Sequence, residues 1–182
     1  MGNIGLAATA VRPQPADWPR KWLAICAAFA LGVTLPALAR ANTITVNTLA
    51  DPGLASQCSL RSAILASVKT RVIDGCPAGS GADTVVFDNL TGTITLANTL
   101  GVTGNNGVLT IAGPAGGITI SGNDQVRIVN LSAGMILNLQ NLTLTRGKAS
   151  LGAAIFNQGG MLTVSDCVFS KRTRERRWET SI

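Results

Sequence analysis

The chain has no histidine and no tyrosine, and between residues 42 and 170 it has no glutamate. Without histidine the usual general base, the commonest metal ligand and any Ser-His-Asp or Cys-His mechanism are excluded. Aromatic residues make up only 4% and charged residues only 13% of the 182 residues, against 46% hydrophobic. The apolar content is therefore mostly aliphatic, which suits a stack of thin β-coils better than a core built around large aromatic anchors. The length fits one domain of ordinary size.

The formal charge of +6 is not spread over the chain. Arg12, Arg20, Lys21 and Arg40 lie near the start, and Lys171, Arg172, Arg174, Arg176 and Arg177 lie near the end. Between them Arg61, Lys69, Arg71, Arg127, Arg146 and Lys148 are matched by Asp51, Asp74, Asp83, Asp88, Asp124 and Asp166. A nucleic-acid binder carries its positive charge on the folded body, so nucleic acid is not an expected partner.

Arg20 and Lys21 precede an apolar run from Trp22 to Val33, and Pro36 is followed by Ala37-Leu38-Ala39 and Ala39-Arg40-Ala41. A positive flank, a short apolar core and an A-x-A site describe a secretory signal peptide. Cleavage falls after Ala39 or Ala41; the second is preferred and leaves Asn42 first. A transmembrane anchor is the alternative, but Pro36 interrupts a run that is already short. Cys26 follows Ile25 rather than a small residue, which does not fit a lipoprotein anchor. The expected location is outside the cytoplasm: extracellular, at the cell surface or outer membrane, or periplasmic. There Cys58 and Cys76 are close enough in sequence for a local disulfide, worth about 3 kcal/mol in the chain-entropy model. Cys167 is left over in the strand-like run Asp166–Phe169 and reads as a buried, inert thiol, a reactive thiol being the alternative.

Six tripeptides share one pattern: Ile44-Thr45-Val46, Ile94-Thr95-Leu96, Leu109-Thr110-Ile111, Ile118-Thr119-Ile120, Leu142-Thr143-Leu144 and Leu162-Thr163-Val164. Each puts two aliphatic side chains on one face and a threonine on the other, the period of a half-buried strand. Gly104-Asn105-Asn106-Gly107, Gly113-Pro114, Gly116-Gly117, Gly122-Asn123 and Gly159-Gly160 punctuate them as turns. A longer unit recurs from Gly107, Gly134 and Gly160 at intervals in the twenties, the mark of a solenoid whose units bury their aliphatic faces only by stacking. An antiparallel sandwich uses the same short strands and turns, but the recurrence favours the solenoid.

Ser59 to Lys69 departs from this pattern. Leu60, Ala63, Ile64, Ser67 and Val68 form one helical stripe, with Ser56 or Ser59 as N-cap. The end of a solenoid exposes its core and its unpaired strand edges, and a short amphipathic helix held by a Cys58–Cys76 bond covers both. The polar residues Arg61, Ser62, Ser67 and Lys69 offer no acid-base pair, so catalysis by this helix is the weaker reading.

These residues resemble the N-terminal CSLREA module that precedes secreted right-handed parallel β-helices. The matching parts are Thr43–Thr48 with Asp51, then Cys58–Ile64 (CSLRSAI), Cys76, Gly81–Phe87, Thr91–Leu96 and Leu109–Pro114. Ser62 stands where the family usually has Glu, which removes a helix-surface ion pair and leaves the apolar stripe. Gly152-Ala153-Ala154-Ile155 looks like a variant of the GGAI motif of polymorphic outer-membrane proteins, and Phe169-Ser170-Lys171 like the start of their F-x-x-N motif, with Arg172 in place of the Asn. The resemblance implies an all-β, right-handed parallel β-helix with a short N-terminal helical cap. The expected divisions are a signal peptide (1–41), a capping module (42–90), coils (91–170) and a charged, disordered tail (171–182).

The tail has no strand period. It reads as a solvated charge run or as a basic arm for an anionic surface; the preferred expectation is an interrupted reading frame. A solenoid of three to five coils with no cap near Val168 is expected to self-associate through its open end or to be marginally stable. The leading functional expectation is the N-terminal part of a non-catalytic surface or secreted protein of adhesin or passenger type. It binds a host, cell-surface or polysaccharide ligand and needs no cofactor or metal. One alternative is a fragment of a polysaccharide lyase or hydrolase, which needs clustered carboxylates where this body has scattered aspartates. The other is a structural surface-array component.

Overall fold

The computed structural model describes residues 41–104 and 107–170. The expected signal peptide (1–41) up to Arg40, the charged tail at 171–182 and the central pair of the Gly104–Gly107 turn lie outside the described residues.

The described elements are β1 (Ala41–Val46), α1 (Leu60–Lys69), β2 (Ala82–Phe87), β3 (Gly92–Thr95), β4 (Leu100–Val102), β5 (Val108–Ala112), β6 (Ile118–Ser121), β7 (Val129–Ser132), β8 (Ile136–Gln140), β9 (Leu142–Thr145), β10 (Ile155–Gln158), β11 (Met161–Ser165) and β12 (Val168–Ser170). The strands fall into three sheets, ordered β1-β2-β5-β8-β11, β3-β6-β9-β12 and β4-β7-β10. After β1 the chain visits the three sheets in turn and then returns to the first, which makes a β-solenoid of about three turns. Every pair of named strands is parallel. That excludes the antiparallel sandwich, in which sequence neighbours pair through tight hairpins.

The equivalent residues Ala82, Val108, Ile136 and Met161 repeat every ~25–28 residues, a period in the range of solenoid units. All six x-Thr-x tripeptides lie on or at the ends of strands of the first two sheets. The third sheet is built from β4, β7 and β10, which carry no such tripeptide.

Because side chains alternate faces along a strand, stacking in register builds columns. Ile44, Val85, Ile111, Leu139 and Val164 form one inward column. Its first four members are buried, whereas Val164 is 39% exposed. Each fully buried aliphatic side chain contributes about 2 kcal/mol, and a coil collects this only with a neighbour on each side. The same break occurs in β12: Leu144 is 1% exposed and its register partner Phe169 is 49% exposed.

Corners are made by residues that tolerate left-handed backbone. Asn141 and Asp166 have φ of 52° and 54°, a region Asn and Asp enter more readily than other side chains. Asn141 also donates from Nδ2 to the carbonyls of Gly113 (3.2 Å) and Pro114 (2.6 Å) in the preceding coil. Gly113 is there for space: a Cβ on it would stand 2.0 Å from the Asn141 carbonyl oxygen.

Candidate functional site

The segment between β1 and β2 differs chemically from the coils. Ser59 is the N-cap of α1: its backbone is extended, and its hydroxyl accepts from the Ser62 amide at 3.2 Å. Of the two expected caps, Ser56 plays no such part. Thr70 closes the helix in the left-handed region at φ 49°, with Lys69 in the last turn, where a cation suits the helix dipole. The helix packs on β1, β2 and β4. Leu60, Ala63 and Ile64 are fully buried, and Val68 is half-buried against the core.

The buried face is wider than the apolar stripe, because Ser62, Ala66 and Ser67 are also buried. Position 62 is therefore not on the helix surface, contrary to the expectation that a residue there would form a surface ion pair. Its hydroxyl is within hydrogen-bond reach of Ser59 Oγ and donates to the Asp74 carboxylate. A glutamate at 62 would set a second carboxylate beside Asp74, and like charges so close disfavour each other.

Three restraints hold α1. Cys58 and Cys76 are disulfide-bonded, with Cα atoms 4.6 Å apart. The Cys58 amide donates to Asn47 Oδ1 (2.9 Å) and its carbonyl accepts from the Asn47 amide (3.0 Å), which ties the bridge to the end of β1. The second restraint was not visible in the sequence. Arg61 forms a bidentate pair with Asp51, both contacts 2.7 Å, and also donates to the carbonyls of Asn98 (2.6 Å) and Thr99 (3.1 Å). Asp51 further accepts the Ala97 amide at 2.9 Å, and its side chain is only 1% exposed. Arg61 thus has an acidic partner after all, and the pair fastens the helix to the turn before β4.

The third restraint is Asp83, which the sequence offers only as one of six aspartates scattered through the body. It is 1% exposed and lies inside β2. Its Oδ2 accepts Ser67 Oγ at 2.7 Å, and its Oδ1 accepts the Ser80 amide at 2.9 Å and the Ser80 hydroxyl at 3.2 Å. A Cβ on Gly79 would stand 2.2 Å from Oδ2, so glycine is needed for the loop to pass. The period of two was a usable signal, since alternation along β2 puts Asp83 on the same inward face as Val85 and Phe87.

The other acids are dispersed. Asp88 is exposed, and Asp124 pairs with Arg146 at 2.9 Å across a solvent-facing corner. No group of three or more His, Cys, Asp or Glu side chains stands within metal-binding reach among the described residues. Among them, too, no helix is long and apolar enough to cross a membrane. Cys167 is half-buried rather than buried, its thiol donating to the Ser165 carbonyl at 3.3 Å. The reason is its place on the last coil, with no further coil over it among the described residues.

The outward faces carry rows of short polar side chains. Thr43, Thr84, Thr110, Asn138 and Thr163 stand in register along the first sheet, and Thr93, Thr119 and Thr143 along the second. Asn138 Nδ2 donates to Thr110 Oγ1 at 3.2 Å, so the row is partly knit together. At the far end Met161, Val168 and Phe169 are exposed.

No family model, curated protein or solved structure matches the chain.

Proposed function

We propose that this chain is the N-terminal part of an exported, non-catalytic β-helix that binds a polysaccharide or another cell-surface ligand, in the manner of an adhesin or passenger domain. The supporting observation is the threonine and asparagine row running down the first sheet. Successive rungs lie about 4.8 Å apart, so a glycan laid along the solenoid axis meets a hydroxyl or amide at every step. The coil is taken as right-handed, the hand of nearly all parallel β crossovers, and α1 as the cap that covers the first coil.

The ligand class is tested by affinity electrophoresis of the exported product in neutral and acidic polysaccharides. Retardation without new reducing or unsaturated ends is expected. Replacing Thr110 by Val together with Asn138 by Leu should weaken retention several-fold, on the order of 1 kcal/mol for the lost hydrogen bonds. Chain cleavage by the protein would instead establish the lyase or hydrolase alternative, and unchanged retention in the double variant would remove the row as the binding face.

The partner proposed for the open end is a second copy of the chain. β11 and β12 end the sheets among the described residues; their exposed Val164 and Phe169 continue the buried columns of Leu139 and Leu144, and Met161 and Val168 stand exposed beside them on the outward face. Sedimentation velocity should show concentration-dependent oligomers that disappear when Val168 and Phe169 are both replaced by lysine. A strictly monomeric parent protein with a sharp melting transition would end this idea.

A further inference from the structure

In the register of the first sheet, Asn42, Asp83, Leu109, Leu137 and Leu162 form one inward column. Two polar residues therefore begin a column that is otherwise leucine. The described residues hold two ion pairs, Arg61–Asp51 and Arg146–Asp124, and Asp83 belongs to neither. A carboxylate removed from water is costly to keep charged without an opposite charge beside it. Its hydroxyl and amide partners meet part of that need. The remaining neighbour is the backbone nitrogen of Asn42, 3.4 Å from Oδ1, a long contact for an amide donor.

We propose that the Asp83 carboxylate is the built receptor for the α-ammonium group of Asn42, created when the Ala41–Asn42 peptide bond is hydrolysed. The inference rests on the export reading. Water adds across the bond: its oxygen joins the Ala41 carbonyl carbon to give a carboxylate, and the amine takes the protons to become an ammonium. A neutral donor with one proton becomes a cation with three, at the place where a buried anion lacks a counter-charge. Charge-assisted contacts of this kind close to about 2.8 Å.

Asn42 does not depend on Ala41 for its position. Its side-chain Nδ2 donates to the Ala78 carbonyl at 3.0 Å, and its Cα is in register with Asp83. Cleavage gives up the pairing of exposed Ala41 with Ala82 at the strand's end. It gains an ion pair that ties β1 to the end of α1 through Ser67 and to the turn at Ser80. The geometry also chooses between the two A-x-A positions, since cleavage after Ala39 would place the ammonium on Arg40 and leave Asn42 an amide.

The test uses the full chain expressed in a host that exports it. N-terminal sequencing and intact mass should show a product beginning at Asn42. Its α-amine should react with an amine-directed reagent at least about tenfold more slowly in the native than in the urea-unfolded protein, the kinetic mark of a group reached only through opening. Asp83→Asn should abolish that protection while the labelling of Lys69 and Lys148 stays unchanged. Should Asp83→Asn not fold, Ala41→Gln directs cleavage to Ala39. The product beginning at Arg40 should then have an unprotected α-amine and a Tm about 5 °C lower. A native product beginning at Arg40 in the parent chain, or one beginning at Asn42 with a freely reactive amine, overturns this inference and leaves export standing. A product that retains residues 1–41 overturns export itself.

Discussion

Replacing Arg61 by methionine is expected to lower the unfolding free energy by about 3 kcal/mol and the melting temperature by roughly 10 °C. The size follows from the partner rather than from the arginine. The Asp51 side chain is 1% exposed and accepts two contacts from Arg61 and one from the Ala97 amide. Removing the guanidinium leaves that carboxylate buried with one amide. It also frees the carbonyls of Asn98 and Thr99. The Arg61 side chain is itself 21% exposed, which keeps the expected loss at the lower end of the range for broken buried pairs. Adding Asp51→Asn to Arg61→Met should recover part of the loss, because the orphaned charge goes with it. Urea titration of the three variants measures this. A single-variant loss under about 0.5 kcal/mol, the level of an exposed pair, would mean the pair does not hold the helix.

Replacing both Cys58 and Cys76 by alanine should cost about 3 kcal/mol, the loop-closure entropy returned to the unfolded chain. The cysteines are 18 residues apart in sequence, and both are buried. The same loss should appear when the parent protein is unfolded and refolded in reductant, whereas Cys167→Ser should leave the stability unchanged. Equal stability with and without reductant would show that the bridge adds nothing the packing of α1 does not already supply. Cys58 lies just before the first turn of α1 and Arg61 within that turn, so combining the two sets of substitutions should not be additive.

The two restraints were unequally legible. Cys58 and Cys76 are two of the three cysteines among the described residues, so composition nearly selects the pair. Arg61 and Asp51 are one arginine and one aspartate among several. Nothing in their spacing says that the loop at Asp51 folds back over the first helical turn. Ser62 was misplaced for a related reason. A hydrophobic stripe marks only the apolar part of a buried face, and here small polar residues fill the rest by bonding to Asp74 and Asp83. The strands of the first two sheets were legible as x-Thr-x units. Leu100–Val102, Val129–Ser132 and Ile155–Gln158 were not, because strands of three or four residues with Gly101, Asn130 and Phe156 at the equivalent central position share no repeated side chain.

By itself the sequence determined that the chain is mostly short aliphatic strands with one amphipathic helix, that the strands recur with a solenoid period, and that two cysteines flank the helix. These are local properties, set by alternation, turn residues and spacing along the chain. Only the tertiary structure decided that the strands divide into three parallel sheets, that Arg61 belongs to Asp51, and that Asp83 faces inward against Ser67, Ser80 and Asn42. Those outcomes depend on which coil lies over which, and a pairing between residues tens of positions apart is selected by stacking energy that no single segment carries.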